Sequence, residues 1–338
     1  MIKGTVTRND NYWQGHPDVA FFKDYFYVVF RQAGKHKAND DTQIMLTRSK
    51  TGFKYSEPVC IATSKNRFNC PRLSVIDDSL WILCDVVIRS DDFISSENEE
   101  ENTKILLWTS NNGKQWSNPI DVGITGIVPD RICQTDDKGF LIATHTLKDD
   151  GFSKYLVQNV WKTTQKIYLP QWTKYSLADE PQFNLCEASI CNYKGQLICL
   201  MRENSQQGNP CLWTTSKDHG KTWTKPIKTK LFGGHRPVLG KLKSGNFLTT
   251  YREQCHSHVP GFWAKNTIAC LTMTNSMIFG DMNKSINLPL DHDNAAKSDG
   301  GYTGWIETED NQIYIVNYVT KDAPKAYIVW YLIDEKEF

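Results

Sequence analysis

The sequence of 338 residues predicts an all-β fold, a six-bladed β-propeller built from four-stranded antiparallel blades. Three observations predict it: a turn motif that occurs three times, a strand–turn–strand repeat that occurs six times, and apolar–polar alternation without a long amphipathic helix. Because small repeated sheets bury their faces by packing radially, this combination is typical of a propeller. We expect residues 1–338 to form a single β-propeller domain.

The turn motif is complete at residues 216–223, which read S-x-D-x-G-x-x-W. It is one residue shorter at residues 110–116 and weaker at residues 49–55. An apolar strand precedes each copy and a proline follows it. The chemistry is that of a β-turn, because a short polar side chain bonds to the turn backbone, glycine takes a positive φ, and the aromatic ring packs into the sheet. Three copies at strand ends predict a repeated blade.

The second repeat consists of a strand, a short polar turn and another strand. Its copies begin near residues 16, 70, 129, 187, 235 and 302. Two further strand-like runs follow each copy, which gives four strands per blade. If the strands are lettered A to D from the axis outward, the turn motif closes the C–D connection. The start of strand A and the end of strand B then meet on the opposite face, close to the axis.

This face carries the candidate site. The strand-A starts carry His16, Arg72, Arg131, Glu187, Arg236 and Tyr302. The strand-B ends carry Arg31, Asp85, His145, Arg202, Arg252 and Tyr318. Because the planar fork of arginine matches carboxylate geometry, the set predicts an anion-binding pocket. The alternative is that these groups pair with one another and hold the blades together. The B–C connection at residues 32–41 also lies here, with His36, Asp40 and Asp41, whereas the acidic connection at 90–103 is interpreted as a solvated loop.

Charge and cysteine usage restrict the function. The 39 basic and 38 acidic residues nearly cancel, which gives no reason to expect a nucleic acid or a membrane surface as partner. No apolar run is long enough to span a bilayer, and the polar start lacks a secretory signal. The ten cysteines form no CxxC pair and no zinc-type spacing, so we expect them to be reduced and mostly buried. These features favour a cytoplasmic or otherwise non-Sec-exported protein.

The chain resembles the sialidase (neuraminidase) superfamily of Asp-box, or BNR-repeat, propellers. The segment CEASICNYKGQLICLMRE carries the strongest match, with Glu187 opening strand A and Arg202 closing strand B. The segment GGYTGWIETEDNQIYIVNY is similar to the catalytic-tyrosine strand of the family and aligns Tyr302 with the nucleophile. Asp41, ahead of TQIMLTRS, matches the general acid/base aspartate.

The resemblance implies an exo-glycosidase that hydrolyses a terminal acidic sugar of a glycan, sialic acid or a relative, with retention and without a metal or other cofactor. Tyr302 is then the nucleophile, Glu187 its base and Asp41 the acid/base. A neutral tyrosine avoids the repulsion that an anionic nucleophile would meet beside the sugar carboxylate, an exception to the two-carboxylate rule for glycosidases. The implied substrate-binding residues are Arg31, Arg202, Arg252, Arg236, Arg72, His36, Asp85 and His16.

Three departures leave alternatives open. Where the family has Arg-Ile-Pro, this chain has His16-Pro17-Asp18, so that Arg31 or Arg72 is the candidate replacement. The third clamp arginine is Arg236 or Arg252, and the proton donor is Asp41, Asp40 or His36. Two other functions fit as well: a glycosidase or polysaccharide lyase directed at a uronic acid, with histidine as the proton-transfer group, and a non-catalytic carbohydrate-binding propeller.

Overall fold

The computed structural model describes residues 1–37, 41–88, 102–205, 207–256, 263–296 and 298–338. Asp40 and most of the acidic stretch at 90–103 lie outside these residues. The described residues form six antiparallel sheets, which confirms the predicted all-β propeller of six four-stranded blades. In the second blade the innermost strand is divided into two short strands. No helix in this part of the chain is long and apolar enough to cross a membrane.

The first three blades follow one another in the chain, each listed from its innermost strand outward. Blade 1 contains Trp13–Phe22, Tyr25–Ala33, Thr42–Ser49 and Val59–Ser64. Blade 2 contains Arg67–Phe68 with Arg72–Ile76, then Ser79–Val87, Thr103–Ser110 and Ile120–Asp121. Blade 3 contains Cys133–Gln134, Phe140–Asp149, Lys154–Thr163 and Thr173–Ala178.

The last three blades complete the ring. Blade 4 contains Leu185–Tyr193, Gln196–Glu203, Pro210–Ser216 and Ile227–Phe232. Blade 5 contains Gly234–Lys241, Phe247–His256, Trp263–Thr272 and Ile286–Asp293. Blade 6 contains Gly304–Glu307, Gln312–Val319, Tyr327–Asp334 and, from the other end of the chain, Ile2–Thr7. Three single-turn helices lie at Thr274–Ile278, Met282–Lys284 and Glu335–Glu337.

The ring is closed by backbone hydrogen bonds between the two ends of the chain. Ile2–Thr7 pairs antiparallel with Tyr327–Asp334 as the outermost strand of blade 6. The sequence repeats begin at residue 16 and do not reveal this strand. The first and last blades are therefore joined through the backbone as well as through side chains.

The turn motif lies between strands C and D, as the repeat predicts. In the complete copy, Ser216 Oγ accepts a hydrogen bond from the Gly220 amide at 3.0 Å, and Asp218 Oδ1 accepts one from the Thr222 amide at 2.9 Å. In the shorter copy, Gly113 has a φ of 65° and packs against the ring of Tyr27, where a Cβ atom would clash. Glycine is therefore required there both by conformation and by the neighbouring blade.

Hydrophobic packing occurs between the blades and leaves polar groups for the axis. Six clusters of buried apolar side chains lie in the described structure, one between each pair of neighbouring blades. Between blades 1 and 6, for example, the ring of Phe26 packs on that of Tyr314, with ring centroids 4.9 Å apart. Truncating such a ring to alanine typically costs about 3–5 kcal/mol, so inter-blade packing is a large share of the stability.

The inner strands of blades 1, 4 and 5 share a bulge at the same end of the axis. Their registers shift between Gly15 and Asp18, between Cys186 and Ser189, and between His235 and Val238. The residues inside these bulges, His16, Glu187 and Arg236, have φ of 53°, 51° and 50°. A positive φ is uncommon for residues other than glycine and collects at functional sites, and a bulge changes the direction of a side chain.

Candidate functional site

A cavity of about 230 Å³ opens at the bulged end of the axis. Its walls come from blades 1, 2, 3, 4 and 6, and they include His16, Arg31, His36, Glu187, Arg202 and Tyr302. The structure therefore brings together, in one cavity, residues that are almost 300 positions apart in the sequence. This is the face of the disk on which the sequence repeats place a site.

Tyr302, Glu187 and Arg202 form one hydrogen-bonded cluster in the cavity. The Tyr302 hydroxyl donates to Glu187 Oε1. Arg202 Nη1 donates to the same carboxylate oxygen at 2.9 Å and to the Tyr302 oxygen at 3.1 Å. The other carboxylate oxygen accepts the backbone N–H of Arg236 at 3.0 Å. Each polar side-chain atom of Tyr302 and Glu187 thus has a hydrogen-bond partner. The residues of this cluster come from blades 4, 5 and 6.

The charges fix where the proton lies. Burial would raise the pKa of Glu187, but the charges of Arg202 and Arg252 and the hydrogen bond from Tyr302 hold that pKa far below its usual range. Burial and the negative charge of Glu187 raise the pKa of Tyr302, although the two arginines oppose this. Tyr302 is therefore a phenol that donates to a carboxylate. Such a pair can pass the phenolic proton to Glu187 as the tyrosine oxygen forms a bond to carbon.

Arg252 lies on the tyrosine ring. Its guanidinium carbon is 4.6 Å from the centroid of Tyr302, and its Nη2 donates to His235 Nδ1 at 3.0 Å. His235 can accept this bond because burial, with the charges of Arg202 and Arg252, lowers its pKa to about 2. Gly301 packs directly on the Arg252 side chain with a φ of 87°, where a Cβ atom would lie 2.5 Å from that of Arg252. Of the two arginines left open as third clamp residue, Arg252 is thus the one beside Tyr302, although neither of them is among the described residues that line the cavity.

His16 occupies the place where the resemblance leads us to expect an arginine. Its ring stacks on Tyr302 with centroids 5.0 Å apart and planes inclined by 21°. Its Nδ1 donates to the carbonyl oxygen of Asn69 at 2.9 Å, and its buried Nε2 has no hydrogen-bond partner among the described residues. Burial, together with the charges of Arg31 and His36, holds its pKa well below the usual value. His16 therefore presents a neutral acceptor to the cavity.

Arg31 and Asp85 organise the wall beside His16. Arg31 is fully buried and donates to Phe68 O and Asn69 Oδ1, both at 3.3 Å, and to the carbonyl oxygen of His36. Asp85, also fully buried, accepts from Asn69 Nδ2 at 2.9 Å and from two backbone amides. Arg31 lines the cavity with Nη1 and Nη2 engaged in these bonds, whereas its buried Nε has no partner among the described residues. Asp85 is not among the described lining residues.

Arg72 and Arg236 lie between the inner segments of different blades, a region that we call the central channel, and neither is among the described residues that line the cavity. Arg72 donates to the carbonyl oxygen of Thr303 at 3.0 Å, and Arg236 donates to that of Pro129 at 2.9 Å. Both side chains are fully buried. Their forks therefore join inner strands of different blades, which is the alternative that the sequence left open.

The three candidate proton donors have different placements. Asp41 is exposed and directly precedes Thr42–Ser49, and it is not among the described residues that line the cavity. Asp40 lies outside the described residues. His36 lines the cavity, because the bond from Arg31 to its carbonyl oxygen anchors this loop against the wall.

Asp299 was missed by the sequence reasoning. His36 Nδ1 bonds to Asp299 Oδ2 at 2.7 Å, Trp13 Nε1 donates to the same oxygen at 2.8 Å, and the Tyr318 hydroxyl donates to Oδ1 at 3.1 Å. Burial would raise the pKa of Asp299, but the neighbouring His36 and Lys265 charges and these hydrogen bonds hold it far below the usual range. The sequence did offer one signal for this residue. Asp299 stands directly before Gly300-Gly301, next to the expected start of strand A in blade 6.

The described side chains include no group of three His, Cys, Asp or Glu that could hold a metal ion. Their arrangement offers proton transfer and anion binding.

Comparisons with known proteins place the fold. The model of the BNR repeat-like domain family matches residues 26–254. A comparison with curated proteins gives no match. Among solved structures, a protein of unknown function from Dyadobacter fermentans DSM 18053 has a TM-score of 0.78 at 18% identity, covering 98% of this chain and 97% of that one.

Two sialidases are also similar in structure. Trypanosoma rangeli sialidase has a TM-score of 0.67 at 14% identity over 96% of this chain and 55% of that one. The Hadza microbial sialidase Hz136 has a TM-score of 0.66 at 14% identity over 96% of this chain and 66% of that one. The chain thus spans about half of the trypanosomal protein and two thirds of the microbial one. It belongs to the BNR repeat-like domain family and folds as a sialidase-like propeller.

Proposed function

We propose that this protein is a retaining exo-glycosidase that removes a terminal acidic sugar, sialic acid or a close relative, from a glycan. The observation that carries the proposal is the hydrogen-bonded pair of Tyr302 and Glu187 with Arg202 bridging both. The Tyr302 oxygen attacks the anomeric carbon while its proton passes to Glu187, and water later releases the sugar from the tyrosine.

Charge in the cavity supports an acidic substrate. Among the described lining residues, four carry cationic side chains, Arg31, Lys37, Arg67 and Arg202, and one, Glu187, carries a carboxylate. Arg252 adds a further cation beside Tyr302. Two arginines bind the substrate carboxylate. Arg202 bonds to both Glu187 and Tyr302, and Arg252 lies on the ring of Tyr302. Solved structures of Trypanosoma rangeli sialidase contain sialic acid and a covalent intermediate with 2,3-difluorosialic acid, which supports the same chemistry here.

Cavity size supports removal of one terminal residue. At about 230 Å³ the cavity is smaller than the roughly 300–1,000 Å³ of pockets for drug-sized ligands. The described walls therefore enclose space for about one sugar ring.

Release of fluorophore from 4-methylumbelliferyl glycosides of acidic sugars tests this function. We expect the wild-type protein to cleave a sialoside, and Tyr302→Phe to lower kcat by about 10³-fold or more because the nucleophile is lost. Tyr331→Phe is the matched control, since it removes a buried tyrosine hydroxyl of blade 6 that bonds to Asp291 of blade 5. A wild-type protein that cleaves no acidic glycoside, or a fully active Tyr302→Phe variant, contradicts the proposal.

A second function, elimination on a uronic-acid polysaccharide, is favoured by one observation. His16 Nε2 is a buried, neutral acceptor with no partner among the described residues, as a base that removes a carbon-bound proton would be. This reaction forms an unsaturated sugar that absorbs in the near ultraviolet, whereas hydrolysis does not. Absorbance during digestion of a polyuronate separates the two.

A further inference from the structure

The proposed hydrolysis needs a group that protonates the departing glycosidic oxygen and then activates water, and the following inference rests on that function. Glu187 is committed to the Tyr302 proton, and Asp41 is exposed away from the cavity lining. Asp40 lies outside the described residues. Among the described residues, the acid/base is therefore to be sought in the other polar residues of the wall.

His36 is held as an acid/base would be. Its Nδ1 is 2.7 Å from Asp299 Oδ2, and the carboxylate of Asp299 is itself fixed by Trp13 and Tyr318. The ring also packs on Trp13, with centroids 4.9 Å apart. With Nδ1 directed at Asp299, Nε2 is the nitrogen left for a ligand in the cavity. A carboxylate behind an imidazole fixes its tautomer and stabilises the imidazolium, as in other acid/base dyads.

The remaining candidates lack this support. His16 directs Nδ1 at a carbonyl oxygen and has Arg31 as a neighbouring charge. His145 accepts from the Glu187 amide at 3.4 Å, and burial with the charges of Arg202 and Arg236 lowers its pKa to about 4. Burial raises the pKa of the Cys70 thiol to about 12. Of the three histidines among the described lining residues, only His36 bonds to a carboxylate through a ring nitrogen.

We propose that His36, positioned by Asp299, is the acid/base of the reaction. In the first step the Nε2 proton of the His36 imidazolium moves to the glycosidic oxygen as its bond to the anomeric carbon breaks. The Tyr302 oxygen bonds to that carbon and the tyrosine proton moves to Glu187. In the second step His36 Nε2 takes a proton from water, whose oxygen displaces Tyr302, and Glu187 returns its proton. The sum is hydrolysis, with every side chain restored.

The surroundings of His36 set the direction of its pH dependence. Burial lowers the pKa of His36, Asp299 raises it, and Arg31 and Arg252 lower it, so that it lies below the ordinary 6.5. The neighbouring ring of His16, with centroids 5.0 Å away, is neutral and adds no favourable charge. The first step requires imidazolium, so kcat/KM falls as pH rises through a pKa below that of an ordinary histidine.

The decisive experiment compares leaving groups. For His36→Ala we expect kcat/KM to fall about 10²–10⁴-fold on a sialoside with an alkyl or sugar leaving group, and far less on a nitrophenyl sialoside, because a good leaving group needs no proton. Asp299→Asn is expected to show the same selectivity with a smaller loss, and to move the pH limb of kcat/KM to lower pH. His292→Ala, an exposed histidine on the outermost strand of blade 5, is the matched control.

The outcomes separate the two proposals. An equal loss on both leaving groups, or no loss, in a His36→Ala protein whose far-UV circular dichroism and melting temperature match the wild type overturns the role of His36 alone, provided that Tyr302→Phe is inactive. A wild-type protein that cleaves no acidic glycoside overturns the proposed function, and this inference with it. Selective loss on the poor leaving group supports both.

Discussion

The arginines beside Tyr302 and those of the central channel come from the same sequence pattern but do different things. Arg202 and Arg252 face Tyr302 and have Glu187 or His235 as partners. Arg72 and Arg236 donate to backbone carbonyl oxygens of other blades. A position at a strand end near the axis therefore does not by itself make an arginine a binding residue. Its function depends on whether its donors are directed at the cavity or at the opposite inner strands.

The largest expected effect is a loss of stability caused by a substitution in the central channel. Asp18 is fully buried and bonds to Arg131 Nε at 2.9 Å, with Arg72 Nη1 at 3.7 Å. Removing one partner of a buried ionic cluster leaves charge uncompensated, so Asp18→Ala should lower the free energy of unfolding by about 3–5 kcal/mol in urea titrations. Asp10→Ala breaks an exposed, solvent-screened pair with Arg8 and should leave the midpoint of the urea titration almost unchanged. Unchanged stability of Asp18→Ala would remove the distinction between channel and cavity.

The pH dependence of stability should come from the cavity instead. His145 has a pKa of about 4 in the folded protein against 6.5 for an ordinary histidine, because burial lowers it. As the pH falls, His145 is protonated in the unfolded chain at a higher pH than in the folded protein. Its contribution to stability is therefore complete above pH 6.5 and is lost as the pH falls towards 4. We expect this group alone to account for about 3 kcal/mol of unfolding free energy across that window.

Urea titrations at several pH values check this expectation. His145→Gln should make the dependence of unfolding free energy on pH between 6.5 and 4 less steep, leaving the contributions of His16 and His235, whose pKa values are lowered as well. An identical slope in His145→Gln would show that His145 is not the group that titrates. Arg72 and Asp18 should not contribute, since burial lowers the pKa of Arg72 only to about 10 and Arg131 and Arg72 keep that of Asp18 below its usual range despite burial.

The smallest effect separates the two kinds of arginine most directly. Arg202→Lys keeps the charge but loses the fork that reaches Glu187, Tyr302 and, at 2.6 Å, Asn204. We expect kcat/KM on an acidic glycoside to fall about 10–100-fold, the equivalent of one hydrogen bond to a charged group, with little loss of stability. Arg72→Lys should do the reverse, lowering stability without changing kcat/KM. Equal behaviour of the two variants would contradict the assignment.

The blades could be predicted from the sequence because their signals are local. In the copy at residues 216–223, Ser216 and Asp218 bond to backbone amides within four residues, so the turn is specified by neighbours in the chain. Glu187 and Arg202 are also local, since they sit at the two ends of one hairpin in blade 4. The strand Ile2–Thr7 has no such signal, because its place in blade 6 depends on pairing with the other end of the chain.

The sequence by itself determined the number of blades, the face that carries the cavity, and the residue types that face it, because strand alternation and turn chemistry depend on nearby residues. Only the tertiary structure decided which arginines serve the cavity, and that Asp299 rather than a residue near His36 in the chain orients that imidazole. The physical reason is that burial and hydrogen bonding at the axis are supplied by several blades at once. Partners such as His36 and Asp299, or Glu187 and Tyr302, come from different blades and are more than a hundred positions apart in the sequence.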